Sequence, residues 1–227
     1  MKVLIIIPAY NEELNIVKTV EDVKTNTKYD YVIINDGSKD KTKEICEKNH
    51  FNLVSLPINY GLTSAVQVGM KYALRNNYEI AIQFDGDGQH QAKELSKLVK
   101  EIENGEDIAI GSRFVTESKP RSIRMLGSNL ITGIIRLTTN KTIKDPTSGM
   151  RAYNQDTIEE LVSNSGLSPE PDTLVYMLKK KKKIKEVQVE MKEREFGESY
   201  LKPLKAMKYM ISMFCSILFI RSFTKKK

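Results

Sequence analysis

Two aspartates one residue apart, Asp85 and Asp87 in the stretch EIAIQFDGDGQH (79–90), are the side chains most suited to chemistry in this chain. Two carboxylates on one short turn repel each other unless a positive charge lies between them. A hard cation such as Mg²⁺ or Mn²⁺, itself holding a diphosphate, is the natural candidate. Ile80, Ile82 and Phe84 alternate just ahead of the pair, so a strand is predicted to end at Asp85. Open α/β sheets bind their ligands outside such strand ends. An EF-hand loop starting at Asp85 fails, because His90 and Ser96 stand where glycine and a carboxylate are needed. A dinucleotide fingerprint fails at Gln91, and no P-loop occurs anywhere. A plain acidic turn capping the next helix is the alternative for DGDG taken alone.

The elements that would position this pair follow an alternating rhythm. Residues 2–7 are an apolar, β-branched run of the kind buried on both faces of a parallel sheet, and Pro8 ends it. Asn11 is expected to cap a helix with Glu12 and Glu13 in its first turn. A second strand, 31–34, runs into Asn35-Asp36-Gly37-Ser38 and a helix over 39–48. A third, 52–56, leads through Asn59-Tyr60-Gly61 into a helix bearing Ala65, Val68, Gly69, Tyr72 and Ala73. The DGDG strand is the fourth, a helix over 91–103 follows, and 108–110 is the fifth. This alternation predicts an α/β fold, a doubly wound and mostly parallel sheet, over the first half of the chain.

Beyond Gly111 the rhythm changes. A helix reaching Thr139 is predicted to bury Leu126, Leu130, Ile134 and Leu137. Residues 145–149, DPTSG, form a turn leading into a short segment at 150–153. Short helices at 157–161 and 173–180 and an amphipathic strand at 184–191 complete the domain. The lysine run 179–183 reads as a solvated helix end.

The length of 227 residues suits one α/β domain. A net charge of +7 with pI about 9.2 favours anionic partners: nucleic acid, phosphorylated ligands or an anionic membrane. Nucleic acid is disfavoured, since the lysines gather at one helix end and in the tail without an aromatic-interleaved groove. Cys46 and Cys215 lie far apart with no CxxC spacing, which fits a reducing cytoplasm, and the N-terminus lacks a signal-peptide pattern. Residues 209–220 are apolar nearly all round but shorter than the ~20 residues of a spanning helix. Lys202, Lys205 and Lys208 precede them, and Arg221 and Lys225 to Lys227 follow. An interfacial helix with its cations on anionic headgroups fits this pattern, with a core or dimer helix and a short tilted span as alternatives.

Six motifs run in order: PAYNEE from Pro8, NDGS from Asn35, the Asn59 to Gly61 helix start, DGDGQH, GSR ending at Arg113, and DPTSGMRAY from Asp145. Together they resemble the family 2, GT-A-type glycosyltransferases, within which the dolichyl-phosphate mannose synthase and bactoprenol glucosyltransferase group is most similar. The resemblance implies a GT-A, Rossmann-like domain over 1–200, with a nucleotide-sugar half at 1–115 and an acceptor half at 116–200, followed by a basic apolar helix at 201–227. It implies that Pro8, Tyr10 and Glu12 border the nucleotide base and ribose, that Asp36 contacts the base, and that Asn59 and Asp85 belong to the same nucleotide-sugar site. Asp85, Asp87 and Gln89 correspond to the metal-binding DxD motif and its neighbour, with Gly86 in place of the usual alanine and His90 as a helix-start residue rather than a ligand.

The resemblance further implies that Arg113 reaches the diphosphate, that Arg124 and Ser128 hold the acceptor's phosphate, and that Asp145 faces the acceptor. Asp145 would be a general base toward a hydroxyl, or an orienting group toward a phosphate that is already ionised. Arg194 falls near the donor or acceptor phosphate. Read as isolated residues, Asp36 and Asp145 are also ordinary turn residues, and Arg113 and Arg194 ordinary surface arginines. The implied activity is metal-dependent, inverting transfer of a sugar from a UDP- or GDP-linked donor to a polyprenyl phosphate or membrane-bound glycan, at the inner face of the membrane; a homo-oligomer is compatible. A polysaccharide-extending transferase acting on a sugar hydroxyl is the alternative of the same class, and a non-catalytic nucleotide- or membrane-binding module the alternative of another.

Overall fold

The computed structural model describes residues 1–86, 88–120, 123–164, 166–191 and 203–221, of which 123, 124, 203–208, 220 and 221 are described by backbone alone. Its first half follows the predicted alternation: β1 (Val3–Ala9), α1 (Ile16–Asn26), β2 (Asp30–Asn35), α2 (Thr42–Lys48), β3 (Leu53–Ser55), α3 (Leu62–Arg75), β4 (Ile80–Gln83), α4 (Leu95–Glu103) and β5 (Ile108–Ser112). The second half adds α5 (Ile123–Thr139), β6 (Arg151–Asn154), α6 (Gln155–Ser163), α7 (Pro171–Lys179), β7 (Ile184–Gln188) and α8 (Pro203–Cys215). A π-helical stretch, Ser216–Arg221, continues α8.

The seven strands form one sheet in the order β3-β2-β1-β4-β6-β5-β7. β1 pairs in parallel with both β2 and β4, and β5 in parallel with β7, whereas β6 is antiparallel to both its neighbours. The sheet is therefore mostly parallel, as expected, but the second half of the chain inserts β6 between β4 and β5. That insertion brings the turn before β6 beside the end of β4.

Alternation along β1 divides the core into two layers. Leu4 and Ile6 face α3, α5, α6 and α7, while Val3, Ile5 and Ile7 face α1, α2 and α4. Both faces are covered, which accounts for the continuous apolar runs of the central strands. Cys46 is buried and Cys215 exposed, both free thiols.

Two local expectations change. Asn11 does not cap α1: it adopts φ 56°, a left-handed conformation that asparagine tolerates, and the helix begins five residues later with Asn15 at its N-cap. Asn11 instead receives the Lys39 amide on Oδ1 and donates its own amide to Ser38 Oγ, tying the loops after β1 and β2 together. In α5 the stripe is displaced: Leu126, Leu130 and Leu137 are 63%, 62% and 78% exposed, and the buried face is Met125, Ser128, Ile131, Ile134 and Ile135. The helix is apolar on two adjacent faces, so spacing alone could not select the one that packs.

α8 packs against α5 and α7. Gly127 of α5 admits Met210, whose Cγ would lie 2.8 Å from a Cβ at that position. Ile217 is fully buried, with Met210, Met213, Phe214 and Leu218 packed against the same layer, while Ile211 and Phe219 are exposed. Among the described residues no helix is long and apolar enough to cross a membrane. The expected domain limit at residue 200 lies outside the described residues.

Candidate active site

The strand order reverses between β1 and β4: the chain winds outward through β2 and β3, then returns to place β4 on the other side of β1. The crevice at their C-terminal ends is where open α/β sheets take ligands. Pro8 near the end of β1, Tyr10 and Glu12 after it, and Asp85 and Gln89 after β4 stand at these strand ends. Pro8 is buried and Tyr10 partly exposed. Glu12 is buried, and its Oε2 accepts the Asn15 side-chain amide at 2.7 Å.

Asp36, at the end of β2, is 2% exposed. Its two carboxylate oxygens accept the backbone amides of Tyr60 and Gly61, each at 2.8 Å. It thus fixes the entry to α3, next to exposed Asn59. The following Gly37 has φ +63°, and a Cβ there would stand 2.4 Å from the Ile58 carbonyl carbon, so the NDGS turn requires glycine at this point.

Asp85 is braced from both sides. Its backbone amide donates to His90 Nδ1 at 3.0 Å, which leaves the proton on Nε2, 3.8 Å from Asp85 Oδ2. His90 is buried against Phe84 and acts as a strut for the turn. Gln83 Nε2 donates to Asp85 Oδ1 at 3.2 Å. Gly149 gives the carboxylate its space, since a Cβ there would sit 2.2 Å from Asp85 Oδ2. Asp87 lies outside the described residues, and among the described residues no group of three or more His, Cys, Asp or Glu is placed to hold a metal. The donors present, the Asp85 carboxylate and the partly exposed Gln89, are hard oxygen ligands with the neighbouring imidazole already committed. That set fits Mg²⁺ or Mn²⁺.

A cationic cluster stands on the other side of the DPTSG turn. Arg113 grips Asp145 with both arms of its fork, Nε to Oδ2 at 2.8 Å and Nη2 to Oδ1 at 2.9 Å. Asp145 is fully buried. Glu186 of β7 accepts the amides of Lys144 and Asp145, both at 2.7 Å, and so holds the turn that holds the arginine. Arg151 donates to the carbonyls of Pro146, Ser148 and Pro169, locking the other end of the turn. Lys119 places Nζ on Ser128 Oγ at 3.0 Å and Thr132 Oγ1 at 3.3 Å. Burial lowers the Lys119 pKa, against the opposing pull of Asp145 and Glu186 and with the help of Arg113. Ser128 is thus in the cluster. The Arg124 side chain and all of Arg194 are outside the described residues.

Beside Asp85 a cavity of about 350 Å³ opens, lined by Gly61, Thr63, Gln83, Asp85, Glu170 and Tyr209 among others. Thr63 Oγ1 donates to Glu170 Oε1 at 2.9 Å, and the Tyr209 hydroxyl donates to Glu170 Oε2. Burial, then the adjacent Glu170 carboxylate, pushes the Tyr209 phenol well above its ordinary pKa and keeps it a donor. Sequence reasoning missed Lys119, Gln83, Glu186, Glu170 and Tyr209. Glu170 carries a faint signal, since Glu-Pro-Asp opens a helix with proline at its first position; the others carry none.

Residues 4–162 match the family model of glycosyl transferase family 2. The chain belongs to that family. It is 33% identical over 176 residues to a dolichol-phosphate mannosyltransferase of Pyrococcus furiosus, covering 72% of this chain and 49% of that protein. It therefore spans about half the length of that relative. It is 28% identical over 212 residues to a polyprenol monophosphomannose synthase of Mycolicibacterium smegmatis, covering 87% of this chain and 80% of the relative. Among solved structures it resembles glucosyl-3-phosphoglycerate synthase from Mycobacterium tuberculosis in complex with Mn²⁺ and UDP-glucose, with TM-score 0.69 and 16% identity over 100% of this chain and 80% of that one. This last likeness is one of fold. The expected GT-A architecture and glycosyltransferase class are thus both found.

Proposed function

We propose that this glycosyltransferase moves a sugar, with inversion, from a nucleoside-diphosphate sugar to a polyprenyl phosphate or a membrane-bound glycan. The observation that carries the reading is the meeting of two opposite sites at one turn. Gly149 cradles Asp85 of the acidic site, and Asp145, four residues earlier, holds Arg113 of the cationic one. An acidic pair suits a metal diphosphate, and the cationic cluster suits a second anion beside it.

In this reading the donor's nucleotide lies along Pro8, Tyr10, Glu12, Asp36 and Asn59. Asp85, Asp87 and Gln89 would hold Mg²⁺ or Mn²⁺, which when bound neutralises charge on the departing nucleoside diphosphate. Lys119 and Ser128, with Arg124 and Arg194 from the sequence, receive the acceptor's phosphate, while Arg113, whose Nε and Nη2 are taken by Asp145, offers its remaining N–H donors to the diphosphate. A phosphate is already ionised and needs no base. Asp145, buried with both oxygens on Arg113, orients that arginine. The relatives named for polyprenyl and dolichyl acceptors support the same acceptor class.

The test is transfer from UDP- and GDP-sugars to polyprenyl phosphate with Mn²⁺. A lipid-linked monosaccharide formed without any primer glycan is the expected product, and Asp87→Asn is expected to lower its formation at least about a hundredfold. Equal activity of wild type and variant would remove the metal assignment. Product formed only on a primer glycan would favour the polysaccharide-extending alternative.

The same reading places the protein at the cytoplasmic face of an anionic membrane. Leu126, Leu130 and Leu137 of α5 and Ile211 and Phe219 near the C-terminus are exposed on helices packed together, and the flanking lysines complement anionic headgroups. Replacing Leu126 and Leu130 by serine is expected to reduce cosedimentation with phosphatidylserine vesicles severalfold. Unchanged sedimentation would remove this docking face.

A further inference from the structure

Gln83 is an unusual residue for its place. It ends β4 in the middle of the sheet, in register with Ile6 of β1 on one side and Arg151 of β6 on the other, and it is 3% exposed. Neighbouring positions on β4 are apolar, and a central strand has no structural need of an amide there. Its Nε2 donates to Asp85 Oδ1 at 3.2 Å, which fixes the orientation of the amide, because the reverse placement would set its carbonyl oxygen against a carboxylate oxygen. The carbonyl oxygen Oε1 is left buried with no hydrogen-bond partner among the described residues.

Arg151, the cross-strand neighbour, has its donors on three backbone carbonyls. The cavity that Gln83 lines is closed on the far side by Glu170, which Thr63 and Tyr209 hold in place. A buried acceptor without a donor signals a missing partner. Such a partner would bring an O–H or N–H to the cavity of about 350 Å³ beside Asp85, whose walls mix polar groups with Leu62, Val66 and Met210.

We infer that Gln83 reads a hydroxyl group of the sugar carried by the donor, within the cavity closed by Glu170 and Tyr209, and so is a specificity-determining residue. This rests on the nucleotide-sugar reading above. A pyranose presents hydroxyls in several directions. A donor positioned by Asp85 brings the sugar next to Gln83, and the Glu170 carboxylate, already orientated, accepts from another hydroxyl. A site built to hydrogen-bond a hydroxyl discriminates strongly against an analogue that lacks it, because its own buried acceptor is then left unpaired. By this argument the last residue of β4, not the metal-binding turn, selects among sugars on a common nucleotide.

The test separates sugar from nucleotide. Calorimetric affinities with Mn²⁺ are measured for UDP, GDP, UDP-glucose and GDP-mannose on wild type and on Gln83→Met, an unbranched apolar side chain of similar size. The variant, which also loses the Gln83 contact to Asp85, is expected to lose about tenfold more affinity for the matching nucleotide sugar than for the nucleoside diphosphate. In a series of deoxy-sugar donors, one member is expected to bind wild type about tenfold more weakly and to bind wild type and variant alike. The melting temperature of the ligand-free variant reports on folding, and is expected to stay within a few degrees of wild type. Equal change in both ligand classes, no change in either, or a large loss of melting temperature would overturn the inference and make Gln83 a structural residue or a water ligand. If wild type binds none of the four ligands, the nucleotide-sugar reading itself fails, and this inference fails with it.

Discussion

A methyl group on residue 149 would stand 2.2 Å from the Oδ2 atom of Asp85. The turn before β6 and the turn after β4 are therefore mutually fitted, and the fit depends on a glycine. Gly149→Ala is expected to displace the Asp85 carboxylate, which is 27% exposed, toward solvent and off its Gln83 donor. Stability should then change by no more than about 1 kcal/mol. Activity should fall at least about tenfold, because a catalytic group shifted by an ångström loses its alignment. Steady-state kinetics beside urea denaturation checks both halves; a loss of stability without loss of kcat/KM would refute the fit. At this scale the strand-end residues were legible because each lies in a short motif: Glu12 in PAYNEE after the first apolar run, Asp36 before a required glycine, Asp85 after alternating apolar residues. Lys119, Glu170 and Tyr209 were not, because their partners Ser128, Thr63 and Glu170 are brought to them only by tertiary packing.

Single helices show where periodicity succeeds and where it misleads. In α4 the buried face is Leu95, Leu98, Val99 and Ile102, the one that helical spacing selects, since the remaining positions are mostly charged. In α5 both Leu130 and Ile131 are apolar neighbours, yet Leu130 is 62% exposed and Ile131 fully buried. The cost of substitution should therefore split between adjacent residues. Ile131→Ala is expected to cost about 3 kcal/mol through lost burial and a cavity, whereas Leu130→Ser should stay within about 0.5 kcal/mol. Chemical denaturation of the two variants measures the difference, and comparable losses would mean that α5 packs with its other face inward. The choice between the two faces is made by α7 and α8, which pack against α5 from the distant end of the chain.

On the scale of the molecule, the sheet is joined across its late strands by one partly buried, hydrogen-bonded corner. Asp107, just before β5, exchanges backbone bonds with Lys183 and Asn154 near β7 and β6. Its carboxylate accepts from the Lys183 amide at 2.7 Å, from Asn154 Nδ2 at 3.0 Å and from Lys182 Nζ at 3.1 Å. Burial by itself raises the pKa of Asp107, but these donors outweigh it and hold the carboxyl below its ordinary value of 3.8. A folded-state pKa below the unfolded one stabilises the protein fully above the unfolded value, and that contribution is lost as pH falls through the folded value. Asp107→Asn should therefore destabilise the protein at pH 7, and the gap to wild type should narrow steadily below about pH 4. Urea midpoints at pH 7, 4 and 3 test the sign, and a gap that widens on acidification would contradict it. The parallel half of this sheet was legible in the alternation of strands and helices. The antiparallel insertion of β6 was not, because a four-residue strand has no periodicity that reports its direction.

The contact between Tyr209 of α8 and Glu170 also sets an order in time. Every strand of the sheet precedes α8 along the chain, so a ribosome completes the crevice and its carboxylates while one wall of the cavity is still unmade. Until α8 docks, Glu170 keeps Thr63 but lacks its second donor, and the pocket beside Gln83 stands open to water. The growing polypeptide passes through a stage with a formed crevice at the strand ends and an unfinished pocket beside Gln83. If that pocket reads the sugar as proposed, selection among sugars is completed only when α8 docks.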